Sequence, residues 1–255
     1  MSDRPIPESV SVHDEEGRPV VEVVVAAPVA AVWEHLRDPA LISRWHGWDY
    51  DELDEEIDLI YGSGAREGDA PYVLETKGGA APGSFEQGDR FELVAVGDST
   101  VVRITRGPRG TDPDWDAMYD DITQGWVSFL AQLRFVVEAH DDAPRRTVFL
   151  HAAGGPSARE LLGLAGSSPG EEWSARPSTD LELDGRTFFA TAAQTGSTVD
   201  AYGPGLLVAA DKAAAGGTWD SMVIVSTFGL DDDAFDDVET AWRRWWVDTH
   251  PEPAS

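Results

Sequence analysis

Residues 111–140 read TDPDWDAMYDDITQGWVSFLAQLRFVVEAH. Ile122, Trp126, Phe129, Leu130, Leu133 and Val137 recur in steps of four, three, one, three and four, which places them on one face of an α-helix. Pro113 suits a first helical turn, and Asp112 before it is a good N-cap. Asp116, Asp120 and Asp121 put negative charge near the helix start, where the macrodipole favours it. A helix this long with one large apolar face must lie across an equally apolar surface. The rest of the chain supplies that surface as strands.

Working back towards the N-terminus, Val20–Ala27 (VVEVVVAA) is a β-branched run and reads as a strand. Pro28 stops it and opens a helix whose apolar residues are Val29, Val32, Trp33 and Leu36. Asp38-Pro39 reads as the N-cap and first-turn proline of a short second helix over Ala40–Trp45. From Asp49 to Asp58 seven of ten residues are acidic. The spacing does not fit a calcium loop, so a solvated loop or strand edge is expected. Strands are expected at Ile57–Tyr61, Tyr72–Thr76, Arg90–Val96 and Thr100–Arg106, separated by Gly, Pro and Asp clusters. Such short connections imply antiparallel pairing. Glu75 and Glu92 within them are expected to point outward, because a buried unpaired carboxylate is costly.

The order strand, two helices, antiparallel strands, long helix resembles the START-like, helix-grip (SRPBCC) superfamily. Within it the chain looks most like homologues of the activator of the 90-kDa heat-shock-protein ATPase. Three pieces carry the resemblance: VEVVVAAPVAAVWEHLRDPALISRW at 21–45, FEQGDRFELVAVGDSTVVRITRG at 85–107 and DDITQGWVSFLAQLRFVVE at 120–138. The resemblance implies an α+β fold in which an antiparallel sheet wraps around the long C-terminal helix. The space between helix and sheet is then either core or a ligand cavity. One departure stands out. The glycine-rich strand pair usual after the Arg-Trp segment is replaced by the acidic stretch and the loop YGSGAREGDAP, so the cavity mouth is expected to differ.

Residues 143–255 suggest a shorter, divergent second copy. TVFLHAA at 147–153 resembles VEVVVAA, and PSARELLGL at 156–164 matches PVAAVWEHL at an offset of 128. Strands are expected at Asp180–Leu183, Thr187–Ala193, Leu206–Ala210 and Met222–Phe228. In the closing helix, Phe235, Val238, Trp242, Trp245 and Trp246 match Tyr119, Ile122, Trp126, Phe129 and Leu130 at an offset of 116. Two domains, 1–142 and 143–255, follow from this tandem reading, the second of them structural. A single domain with a C-terminal embellishment is the alternative.

Composition narrows the partners. A net charge of −28, with 47 acidic and 19 basic residues, repels nucleic acid and anionic membranes. Lys77 and Lys212 are the two lysines. An acidic surface so poor in lysine suits a salt-rich cytoplasm or simply a well-solvated protein. There is no cysteine, so disulfides and thiolate chemistry are excluded. The polar N-terminal stretch and the lack of a run long enough to span a bilayer point to a cytoplasmic protein.

No Gly-rich phosphate loop, nucleophile elbow or His pair at metal spacing is present. No metal or cofactor is therefore expected, and no catalytic residue is assigned. The histidines, His13, His35, His46, His140, His151 and His250, are scattered; His46, in Trp45-His46-Gly47-Trp48, falls where a helix end meets a loop at the expected cavity rim. Gly125 beside Trp126 costs about 1 kcal/mol of helix propensity, which a close backbone or ligand would explain. The expected ligand-binding residues are Trp126, Phe129, Leu130 and Leu133 on the helix, with Trp45 near the entrance. Three functions are compatible with this: a binding module for a small apolar or amphipathic ligand, a polyketide-cyclase-like enzyme using a cavity His or Asp, and a co-chaperone-like protein partner. The side chains facing the space under 112–140 discriminate among them. Only an enzyme needs a titratable group there.

Overall fold

The computed structural model of the chain describes residues 12–13, 19–76, 88–108, 113–140 and 143–251, with the side chains of 12, 13 and 113–117 left aside. It divides into two compact units, Met1–Asp141 and Asp142–Ser255. The architecture is α+β, and each unit is an antiparallel sheet closed by a C-terminal helix.

In the first unit the order is β1 (Val12–His13), β2 (Pro19–Val25), α1 (Val29–Arg37), α2 (Pro39–Ile42), α3 (Leu53–Tyr61), β3 (Ala65–Glu67), β4 (Val73–Thr76), β5 (Arg90–Val96), β6 (Ser99–Thr105) and α4 (Pro113–Ala139). The sheet order is β1-β2-β6-β5-β4-β3. Alternation along each strand selects the inner face: Val21, Val23 and Val25 on β2, Phe91 and Leu93 on β5, and Val102 and Ile104 on β6 are all buried. Glu75 and Glu92 lie on the other face, Glu75 paired with Arg66 and Arg90, and Glu92 with Arg90.

The long helix is buried more widely than a single stripe. Trp126, Leu130 and Leu133 are buried as the spacing predicts, but so are Val127, Ala131, Phe135 and Val136. Ile122, expected on the core face, is 39% exposed, and Tyr119 and Thr123 take the buried position instead. Residue Asp112 and the side chain of Asp116 fall outside the described residues.

Two expectations are corrected. The segment read as a strand at Ile57–Tyr61 belongs to helix α3. Leu53, Ile57 and Tyr61 recur every fourth residue and are buried, while Asp54, Glu55 and Glu56 sit in the first turn where the helix dipole stabilises them. The acidic stretch is therefore in large part the outer face of a helix. The loop after it is not strand-free: Ala65–Glu67 pairs antiparallel with β4. At Gly64 an added Cβ would lie 1.5 Å from Leu59 O, so only glycine lets the chain pass back over the end of α3.

The second unit runs β7 (Arg145–Gly155), α5 (Ala158–Leu161), β8 (Glu172–Ala175), β9 (Leu183–Ala190), β10 (Gln194–Val199), β11 (Gly205–Ala213), β12 (Trp219–Phe228) and α6 (Asp232–Thr249), with sheet order β7-β12-β11-β10-β9-β8. The strands β8 and β10 have no counterpart among those expected; the strands expected at Asp180–Leu183 and Thr187–Ala193 are replaced by the single β9, which starts at Leu183 and ends at Ala190. Phe235, Val238, Trp242, Trp245 and Trp246 are all buried, as their helical spacing predicts. They pack with Trp173 and the inner residues of the sheet into one core. Asp211 braces the start of α5: its carboxylate accepts from Ser157 Oγ and Ser221 Oγ at 2.6 Å and from the amides of Ala158 and Arg159. Among the described residues no helix is long and apolar enough to cross a membrane.

Candidate functional site

The chain from Asp38 to Gly47 is built to hold one side chain. Asp38 accepts from Ala40 N and starts α2, and the turns that follow bring His46 N–H back to Ile42 O at 2.9 Å. Gly47, with φ of +56°, reverses the path. Gln132 of α4, buried to 2% exposure, donates its amide to Trp45 O at 2.8 Å and to Gly47 O at 3.2 Å. Trp45 donates its indole N–H to His35 O, and Arg44 donates to His140 O. The result is a loop tied to α1 and α4, with His46 only 1% exposed.

Around the imidazole stand the rings of Phe129 at 4.7 Å, Tyr61 at 5.3 Å, Trp45 at 5.7 Å and Trp126 at 5.9 Å. Phe91 closes the group edge-on to Trp126 at 5.2 Å. Tyr61 Oη lies 3.0 Å from His46 Nδ1, and Glu56 Oε1 lies 3.6 Å from Nε2. Burial, followed by the charges of Glu56 and Asp89, pushes the Tyr61 phenol well above its ordinary value. It therefore stays protonated beside His46 Nδ1, while Nε2 faces Glu56. The neighbouring His46 holds the Glu56 carboxyl below its usual range, against an opposing contribution from burial; a bond from Tyr50 adds to the lowering. Tyr50 in turn has its phenol raised by burial and by that bond to Glu56. A line of polar groups, Tyr50, Glu56, His46 and Tyr61, thus runs from a residue 37% exposed to one 2% exposed.

A second polar group borders the rings. Asp89 accepts from Trp126 Nε1, Arg106 Nε and Gly107 N, each at 2.9 Å. Arg106, 5% exposed, also donates to Thr123 Oγ1 at 2.9 Å and lies 4.5 Å over the Tyr119 ring. This fixes the indole of Trp126 in one orientation.

The structure brings Trp45, Trp126 and Phe129 together around His46. Trp45 is fully buried and Phe129 half-buried. Leu130 and Leu133, also fully buried, lie further along α4. Of the residues around the imidazole, His46 is visible in the sequence, whereas Tyr61, Glu56, Asp89, Arg106 and Gln132 are not singled out by any motif. One signal is available for the charged pair: Asp89 and Arg106 stand at the two feet of one hairpin. At Gly125 an added Cβ would meet the Phe129 ring at 3.8 Å, an ordinary contact. Among the described residues no group of three or more His, Asp or Glu side chains converges to hold a metal.

No family model matches the chain, and neither does any curated protein. Among the solved structures that are similar at low identity are the following three. DynU16, a protein in the dynemicin biosynthetic locus, is 15% identical with a TM-score of 0.33, covering 91% of this chain and 94% of that one. The di-domain ARO/CYC StfQ from the steffimycin biosynthetic pathway is 12% identical with a TM-score of 0.35, covering 88% and 92%. The di-domain ARO/CYC BexL from the BE-7585A biosynthetic pathway is 12% identical with a TM-score of 0.36, covering 92% and 99%. The functional reading therefore rests on this chain's own residues.

Proposed function

We propose that the first unit binds a small apolar or amphipathic molecule inside its helix grip. Trp45, Trp126, Phe129, Leu130 and Leu133 form the apolar wall, and His46 and Tyr61 make the polar contact. One observation carries the reading: a buried imidazole ringed by aromatic side chains, with the Tyr61 hydroxyl at Nδ1 and the Glu56 carboxylate 3.6 Å from Nε2. Binding sites combine a mostly apolar lining with a few placed polar groups, and this set has that composition. Admission of a ligand requires α3, which carries Glu56 and Tyr61, to part from α4.

A neutral solvatochromic dye such as Nile red tests the proposal. The full chain is expected to bind it with enhanced fluorescence, and Trp126→Ala to abolish binding. A Trp126→Ala protein that is folded by circular dichroism and binds the dye unchanged would remove this site. Stability is measured alongside, because Trp→Ala in a core costs about 3–5 kcal/mol by itself.

The second reading is an enzyme of the cyclase type, favoured by the presence of titratable groups in the interior where a simple binder needs only shape. With a ligand carbonyl in place of the present contacts, the Tyr61 hydroxyl would donate to its oxygen. A neutral His46 would then take a proton from the adjacent carbon on Nδ1, the nitrogen the Tyr61 hydroxyl leaves, and the Glu56 carboxylate beside Nε2 would stabilise the imidazolium so formed. His46→Gln separates the readings: it keeps a hydrogen-bonding side chain and dye binding, and it abolishes turnover of any substrate.

A further inference from the structure

We propose a second site on the first unit: a cleft between α1–α2 and α3 that takes a small organic cation, an ammonium group on an apolar body. The cleft has a volume of about 270 Å³ and is lined by Arg37, Ala40, Ile42, Asp54, Ile57 and Asp58 among others. It lies outside the ring cluster and shares only Tyr61 with it.

Charge decides the sign of the ligand. Arg37 is already committed: its Nη1 donates to Tyr61 O at 2.8 Å, and its Nε stands 3.9 Å from the Glu67 carboxylate. Asp58 accepts from the Ser63 hydroxyl at 2.7 Å and from its amide. Asp54, one turn before Asp58 on the same helix face, has no hydrogen bond or ion pair among the described residues. The unmatched charge in the cleft is therefore negative. An anion entering would meet two carboxylates, and the net charge of −28 further enriches cations at the surface.

The walls decide its chemical class. Pro39, Ala40, Ile42 and Ile57 are apolar, and one uncommitted carboxylate is too few oxygens for calcium, which takes about 6–8. An ammonium needs one good acceptor and leaves an apolar body to lie against these side chains. The volume falls below the range of roughly 300–1,000 Å³ typical of drug-sized ligands, so the body is small.

Isothermal titration of the full chain with phenethylammonium, 2-phenylethanol and 3-phenylpropionate tests the site. Phenethylammonium is expected to bind, and added NaCl to weaken it. The alcohol and the acid are expected to bind at least roughly tenfold more weakly, the size of one lost charge-assisted hydrogen bond. Asp54→Asn is expected to bring the ammonium down to the level of the alcohol. Ala40→Trp, which fills the cleft without changing charge, is expected to abolish binding. Both positions are exposed, so both variants fold; circular dichroism checks this. Equal binding of all three compounds, unchanged affinity in Ala40→Trp (a cation held by the acidic surface at large), or no binding at millimolar concentration each overturns the proposal.

Discussion

Asp89→Ala removes a carboxylate that accepts three hydrogen bonds at once, from Arg106, Gly107 and Trp126. The arginine left behind is 5% exposed. Removing one partner of a buried ion pair costs about 3–5 kcal/mol, because the remaining charge is neither hydrated nor paired. Arg106 would keep Thr123 Oγ1 and the face of Tyr119, which places the cost at the lower end, about 3 kcal/mol. The bonds lost by Gly107 and Trp126 belong to the same truncation and are not added on top. Urea unfolding followed through the indole N–H resonance of Trp126 reports on the first unit alone. With an m-value of about 2 kcal/mol/M, the midpoint falls by roughly 1.5 M. Asp89→Leu combined with Arg106→Met is expected to cost less than Asp89→Ala, since neither side chain is then left as a buried unpaired charge. A midpoint shift under about 0.5 M for Asp89→Ala, with the indole resonance unmoved, would refute the account of Trp126 as a ring held by this carboxylate.

Four further outcomes are expected. Gly125→Ala stabilises the first unit by about 0.5–1 kcal/mol, because the added methyl meets only ordinary contact with Phe129; a loss of thermal stability would show that the helix needs glycine there. Gly64→Ala destabilises α3, since its Cβ would lie 1.5 Å from Leu59 O; unchanged hydrogen exchange across 53–61 would contradict this. Glu56 has a folded pKa below its unfolded one, so its stabilising contribution is full above the ordinary carboxylate range and is lost as pH falls through the folded value. The urea midpoint of the first unit should drop on acidification below about pH 4.3, and less steeply in Glu56→Gln. His250 stacks on Trp246 at 3.8 Å, and burial lowers its pKa. The fold favours the neutral ring, so the second unit loses stability as pH falls below about 6.5, and His250→Gln should flatten that dependence.

The parts of the fold legible in the sequence are those with one dominant period. The run 20–27 and the spacing of 122–137 and 235–246 mark a strand and two closing helices by pattern alone. The miss at Ile57–Tyr61 has a physical cause. Read alone, IDLIY is a plausible strand, and the helix shows only when Leu53 is counted with Ile57 and Tyr61 across the acidic residues between them. The same cause hides half of the site. Tyr61 and Glu56 meet His46 only because α3 is a helix, which turns Glu56 towards the loop while Asp54, Glu55 and Asp58 face outward. Ile122 falls outside the buried face because that face runs through Tyr119, Thr123, Trp126 and Leu130 at this end of the helix. Tyr119 and Thr123, which look polar in sequence, are used inside to hold Arg106. Gln132 is silent for the same reason: nothing in a helical pattern says that a buried amide will be consumed by two carbonyls from another segment.

That amide has a mechanical meaning. By holding the carbonyls on either side of His46, Gln132 suspends the histidine from α4, so the imidazole travels with Trp126 and Phe129 as parts of one body. Tyr61 and Glu56 ride on α3, a different one. The seam between the two passes beside the imidazole, which meets the Tyr61 ring as well as its hydroxyl across it. If they part, His46 keeps Trp126 and Phe129 and loses the Tyr61 ring, its hydroxyl and the Glu56 carboxylate together, so the opening of the grip is readable from the exchange rate of one phenolic proton.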